Sequence, residues 1–379
     1  MIKYFILFLC VFWFPFNVFA GELVPNGESA ILIEANTGKI IFEKEINKRV
    51  SVASMTKMVA QIIILEEVKN KRIKWNDVVT VSRNASGMGG SQIYLEEGEK
   101  MTVYDLMKGT SVASTNDATV AMAEYISGTE DKFVSRMNKK VKELGLENTN
   151  FVNCTGLDED KHYSSAYDMV MIARELVINY PEIFEFSSIY EDYLRKDTKN
   201  KFWLVNTNKL INFYEGADGL KTGHTDDAGY CLATTAKRNN LRLIGVILGE
   251  KESKVRNNEM VDLLDYGFNN IKVDVLLKKD EVITKKNISH GDSNILNIGV
   301  KEDLLAYKDV EIDNKYNYKY IYDQITLPIK KGDLLGKVEV YYDNIFVNSG
   351  ELIALNNVNK MRFFDMCKAS FFDLIFGNL

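Results

Sequence analysis

Apolar and polar residues alternate along AILIEANTGKIIFEKE, residues 30–45, and the alternation turns back at Asn36-Thr37-Gly38-Lys39. A period of two around an Asn/Gly turn predicts a β-hairpin. The pattern then changes to SVASMTKMVAQIIILEE, beginning at Ser51, whose nearly continuous apolar run predicts a helix buried on most sides. Helical spacing continues over 104–126 and 130–145, where Phe133, Met137, Val141 and Leu144 recur every three or four residues and Gly145 suits a stop. From Lys221 the period returns to two, with GYCLATTAKR and LRLIGVILGE flanking Asn239-Asn240 as a second hairpin. A hairpin, a helical block and a closing hairpin predict one α+β domain whose sheet is assembled from both ends of the segment.

MVDLLDYGFNNI, residues 260–271, reads as a closing helix and gives a first domain of 21–271. Residues 272–353 hold short alternating runs separated by Gly and Asn, which predict a small all-β domain. The tail, 356–379, predicts an amphipathic helix. Phe364, Cys367, Phe371, Leu374 and Ile375 fall on one side, and Arg362, Asp365, Ser370 and Asp373 fall mainly on the other. Its apolar part is too short to span a bilayer, so it is expected to lie in the plane of a membrane surface. At the other end, residues 1–20 combine Lys3, a long apolar run and Ala20. These parts predict a secretory signal peptide, expected to be cut between Ala20 and Gly21, with an uncleaved membrane anchor as the alternative.

Composition narrows the chemistry. A formal net charge of −6 argues against a nucleic-acid partner. Cys10 leaves with the signal, and Cys154, Cys231 and Cys367 form no disulfide framework or metal spacing. Cys154 and Cys231 are expected to be buried free thiols, with one disulfide between them as the alternative. The only histidines are His162, His224 and His290, so no histidine-rich metal centre is expected, and no cofactor.

The lysine inside the buried helix is the first chemical signal. Positions i and i+3 share a helix face, so Lys57 can reach the hydroxyl of Ser54. A serine hydroxyl becomes a good nucleophile only when a base takes its proton. Lysine is that base only when neutral, which requires burial or a nearby cation to bring it down from about 10.4. Two further pieces follow in order: Ser114-Thr115-Asn116, 60 positions after Ser54, and Lys221-Thr222-Gly223, 107 positions later still. Each alone is an ordinary turn or cap, but the ordered set with an export signal is specific.

With these motifs in place the chain resembles the low-molecular-mass penicillin-binding proteins that act as serine-type D-alanyl-D-alanine carboxypeptidases, peptidase family S11. The likeness covers nearly all of the mature chain, including ASGMGGSQIYLEEGE, STNDA, DGLKTGHTDDAGYCL and LPIKKGDLLGKVEVY. It implies a five-stranded antiparallel sheet with flanking helices and a helical subdomain, then the β domain and the tail. It implies roles as well. Ser54 would attack the penultimate D-Ala carbonyl, Lys57 would take its proton, and Ser114 would relay a proton to the leaving amine. Asn116 would bind the substrate backbone, while Lys221 and Thr222 would face its terminal carboxylate, Lys221 also keeping Lys57 neutral. Gly223 would leave room for substrate, and the N–H groups of Ser54 and His224 would form an oxyanion hole. Arg256 stands where the family keeps an arginine for the carboxylate. Thr115 replaces the commoner glycine and is expected to narrow the cleft slightly.

The resemblance implies stem peptides of peptidoglycan as substrate, β-lactams as covalent inhibitors, and a location on the outer face of the cytoplasmic membrane. A class A β-lactamase would carry Glu-x-x-Leu-Asn after the second motif, and ELGLENTNFVNCTGLDED lacks it. The motifs leave open whether water or an amine accepts the acyl group. They also fit a sensor that is acylated without turnover.

Overall fold

The computed structural model describes residues 23–309, 316–342 and 344–361. The predicted signal peptide and most of the predicted C-terminal helix lie outside the described residues, as does Cys367.

Both predicted hairpins form, and they share one sheet. Strands β1 (Ser29–Glu34) and β2 (Ile40–Lys44) are joined by the Asn36-Thr37-Gly38 turn. The Glu34 carboxylate fixes that turn by accepting from the N–H of Asn36 at 2.8 Å and of Thr37 at 2.7 Å. Strands β3 (Ala217–Thr225), β4 (Gly229–Arg238) and β5 (Leu241–Glu250) form the closing meander. The order is β2-β1-β5-β4-β3, every pairing antiparallel, so the strand carrying Lys221-Thr222-Gly223 is an edge.

Every residue of β1 is buried, because both faces of the sheet are covered. Ile31 and Ile33 point into the larger core with the helical block, while Ala30 and Leu32 point to the other side. That second side is covered by the long helix Ser253–Asn270 through Met260, Leu263 and Leu264. Its N-terminus is seven residues earlier than the apolar run at 260 indicates.

The helical block is built around α1 (Lys57–Lys69), which continues from a 3-10 turn at Ala53–Thr56. Ten of its residues are buried, Lys57 among them, as expected of a helix apolar on nearly all sides. The spacing over 104–126 divides into α2 (Val103–Val112) and α3 (Asn116–Ser127). The cause is Ser114, whose φ of +62° is incompatible with a helix, so the second motif occupies the break. The segment over 130–145 forms α4 (Glu130–Glu143), burying Phe133, Met137 and Val141, and Gly145 follows at φ +71°. Helix α5 (Ala166–Asn179) packs against the sheet.

After residue 270 the described chain is all β. One five-stranded antiparallel sheet runs Thr284–Asn287, Ile295–Val300, Ile345–Ala354, Leu334–Tyr342, Tyr316–Tyr322 in spatial order. A separate two-stranded ribbon, Ile271–Leu277 with Leu304–Asp309, contributes Ile271 and Tyr307 to the core beneath the first sheet. This ribbon therefore belongs physically to both parts, which the alternation of 272–353 could not reveal. Among the described residues no helix is long and apolar enough to cross a membrane. Cys154 and Cys231 are both buried free thiols, so they are not joined by a disulfide.

Candidate active site

Ser54 sits in the 3-10 turn that feeds α1, and Lys57 is the first residue of the helix proper. The Lys57 ammonium is fully buried and donates to Ser54 Oγ at 2.8 Å and to the Thr155 carbonyl at 2.7 Å. Burial pushes Lys57 down to about 7, while Cys154 and Asp117 pull weakly the other way. Near neutral pH a large fraction of this amine is therefore a free base next to a hydroxyl.

The break between α2 and α3 brings the second motif to the same place. Lys221 of β3 is fully buried and donates to Ser114 Oγ at 2.6 Å and to the Thr222 carbonyl at 2.9 Å. Lys221 lies well below its ordinary value, first because of burial and then because of the Lys57 and Arg256 charges. The expectation that Lys221 holds Lys57 neutral is thus modified: burial governs Lys57, and the Lys57 charge helps depress Lys221. A charged Lys57 beside a buried Lys221 disfavours the charged form of Lys221.

The Asn116 side-chain amide donates to the Gly89 carbonyl at 2.8 Å, while its buried Oδ1 has no hydrogen-bond partner among the described residues. Thr115 is fully buried and packs against Gly109 of α2, so it does not narrow the cleft. Thr222 Oγ1 donates to Thr207 Oγ1 at 2.7 Å. Packing gives Gly223 a further reason beside the room for substrate that the resemblance implies. A Cβ there would lie 2.5 Å from the Val52 carbonyl oxygen, because the edge strand packs directly on the turn that carries Ser54. The His224 ring is exposed and stacks on Tyr230, its cross-strand neighbour, with centroids 4.0 Å apart.

Arg256 is buried in the first turn of the long helix. It donates to the Cys231 carbonyl at 3.1 Å and to the Asn257 side chain at 2.8 Å. Burial brings this guanidinium down to about 10.

Several supporting groups carry no motif that a single sequence reveals. The Thr155 carbonyl that receives Lys57 lies in a loop shaped by Asn153, whose Oδ1 accepts from the N–H of Gly156 at 2.7 Å. Asp117, fully buried, accepts from the N–H groups of Ile93, Leu95 and Ala118 and so holds the 91–95 segment against the second motif. His162 bonds Thr56 Oγ1 at 2.8 Å and accepts from the Val152 N–H at 3.3 Å, and burial lowers it to about 4, keeping it neutral. The Lys57–Thr155, Asp117–Ile93 and Thr56–His162 contacts join residues 98, 24 and 106 positions apart, which a single sequence does not reveal.

A serine–lysine pair at the head of a buried helix, facing a Lys-Thr-Gly edge strand, has the architecture of the penicillin-binding serine enzymes. Residues 22–252 match the family described as D-alanyl-D-alanine carboxypeptidase, and residues 273–360 match the C-terminal domain of penicillin-binding protein 5. The chain is 43% identical over 355 residues to D-alanyl-D-alanine carboxypeptidase DacF of Bacillus subtilis, covering 93% of this chain and 91% of that one. It is 33% identical to DacA of Escherichia coli, covering 89% and 85%. Penicillin-binding protein 5 of Haemophilus influenzae superposes with a TM-score of 0.69 at 32% identity, covering 88% of this chain and 98% of that one. The chain belongs to the D-alanyl-D-alanine carboxypeptidase family.

Proposed function

We propose that the protein removes the terminal D-alanine from peptidoglycan stem peptides ending in D-Ala-D-Ala, through an acyl-enzyme on Ser54. The observation that carries this reading is the buried Lys57 amine, 2.8 Å from Ser54 Oγ and lowered to about 7. Neutral Lys57 takes the hydroxyl proton as Ser54 Oγ attacks the penultimate D-Ala carbonyl. Charge develops on the carbonyl oxygen between the N–H groups of Ser54 and His224. The Thr222 carbonyl accepts from Lys221 Nζ at 2.9 Å, and residues two apart on a strand turn their backbone groups to the same side, which supports a His224 N–H directed at the cleft.

The proton then passes by way of Ser114 to the departing amine, and D-alanine leaves. Water then attacks the ester carbonyl as Lys57 accepts its proton, the ester bond to Ser54 Oγ breaks as Lys57 returns that proton to the Oγ, and the shortened peptide is released. Asn116 Oδ1, without a hydrogen-bond partner among the described residues, suits a substrate amide N–H. Lys221 and Thr222 suit the terminal carboxylate, whose arrival favours the charged form of Lys221. Arg256 adds positive potential from beneath the sheet. β-Lactams acylate Ser54 by the same route.

D-Alanine release is the deciding assay, run on residues 21–379 with a synthetic peptide ending in D-Ala-D-Ala. Steady release supports hydrolysis. Labelling of Ser54 by a penicillin with no D-alanine released would sink it in favour of a sensor or an amine acceptor. The rate also has a predictable pH dependence. Because the neutral form of Lys57 reacts, kcat/KM should rise with pH and level off above about 7. A flat profile from pH 5.5 to 8.5 would refute Lys57 as the base.

We infer further that residues 1–20 direct export and that residues 356–379 hold the enzyme on a membrane surface, the β domain lifting the cleft above it. The aromatic and charged faces of the tail support this. The mature chain should then sediment with anionic liposomes, and a chain ending at Leu355 should not.

A further inference from the structure

We propose that Asp158 is a positioning residue for this reaction. One of its carboxylate oxygens ties the end of β3 to the turn carrying Ser54, fixing the width of the oxyanion site between them. The proposal rests on the assignment of the Ser54 and His224 N–H groups as the oxyanion donors.

Asp158 Oδ1 accepts from Ser51 Oγ at 3.1 Å and from Thr225 Oγ1 at 2.7 Å. Ser51 lies three residues before the nucleophile, and Thr225 directly follows His224. Thr225 Oγ1 also accepts from the Ala228 N–H at 3.1 Å, so its proton is committed to Asp158. β3 is an edge strand, with no neighbouring strand on its cleft side among the described residues. Its inner part is held by the close approach of Gly223 to the Val52 carbonyl. Beyond that contact, the carboxylate links His224's end of the strand to the Ser54 turn by hydrogen bonds.

The anchor itself is fixed. Asp158 follows the loop in which Asn153 accepts from the N–H of Gly156 at 2.7 Å and donates to the Leu157 carbonyl at 2.9 Å. In the same loop Gly156 lies against the Ala53 carbonyl. Asp158 is exposed, and Ser51 and Thr225 are half-buried. Bonds at such a rim add little to global stability, yet a small displacement of an oxyanion donor is costly to the rate.

The test compares Asp158→Ala, Asp158→Asn and Thr225→Val in the mature chain, with kcat counted per penicillin-titratable site. Asp158→Ala should lower kcat for D-alanine release about tenfold, and penicillin acylation equally, with KM and Tm nearly unchanged. Asp158→Asn retains the acceptor oxygen and should recover to within about threefold of wild type. Adding Thr225→Val to Asp158→Ala should cost nothing further. Wild-type kcat in Asp158→Ala would overturn the proposal. So would an Asp158→Asn variant as slow as Asp158→Ala, which would implicate the charge, or a displaced pH midpoint, which would implicate Lys57. If the wild-type chain releases no D-alanine, the functional reading fails, and the acylation measurement still decides the role of Asp158.

Discussion

Replacing Lys57 with methionine is expected to lower kcat/KM for D-alanine release by about three to four orders of magnitude while leaving the fold intact. Lys57 is the amine within 2.8 Å of Ser54 Oγ, so its loss leaves the hydroxyl with no base. Methionine fills similar volume on a fully buried helix position and has no amine to desolvate. Its cost is the Thr155 carbonyl, which loses its 2.7 Å donor, a penalty of about 1–3 kcal/mol. These effects oppose each other, and Tm should move by only a few degrees. The pH limb near 7 should vanish from whatever activity remains. Lys57→Arg separates base from charge: it should be equally inactive, since a guanidinium does not deprotonate, and markedly less stable. Substantial activity in the arginine variant would refute the assignment of Lys57 as base.

The same lysine marks how far the sequence could be read. Periodicity found both hairpins of the sheet and the buried α1, because period two and a continuous apolar run are local properties. It could not place the break at Ser114, where a positive φ interrupts an otherwise helical spacing. It also missed that the ribbon Ile271–Leu277 with Leu304–Asp309 shares a core with the first sheet, since that depends on long-range packing. In the site, Ser54, Lys57, Ser114, Asn116 and Lys221 were legible because three short motifs follow one another in a fixed order along the chain. The Thr155 carbonyl and the Asp117 carboxylate were not. One is a backbone atom without a side-chain signature, and the other does its work through backbone N–H groups some 24 residues away.

The glycines of the site expose a second layer of specification, and Gly156→Ala should have the other large effect. Gly156 has φ +83°, and an added Cβ would lie 1.9 Å from the Ala53 carbonyl oxygen and 2.9 Å from the Ser54 N. Backbone cannot yield as a flexible side chain does, so either the Thr155 loop or the nucleophile turn must move. Left-handed strain and overpacking together should cost about 3 kcal/mol, lowering Tm by about 10 °C. Displacement of Ser54 relative to Lys57 and the oxyanion site should cut kcat/KM by about a hundredfold. Gly145→Ala provides the control. Gly145 has φ +71°, but nothing lies within 4 Å of the added Cβ, so it carries the strain without the collision. Its loss should be limited to about 1 kcal/mol, with kcat/KM unchanged. Thermal denaturation and D-alanine release on the two variants decide the matter. Equal behaviour would mean that backbone conformation alone matters at Gly156, whereas a rate loss confined to Gly156→Ala would establish that the loop's contact with the Ala53 carbonyl keeps Ser54 in register with its base.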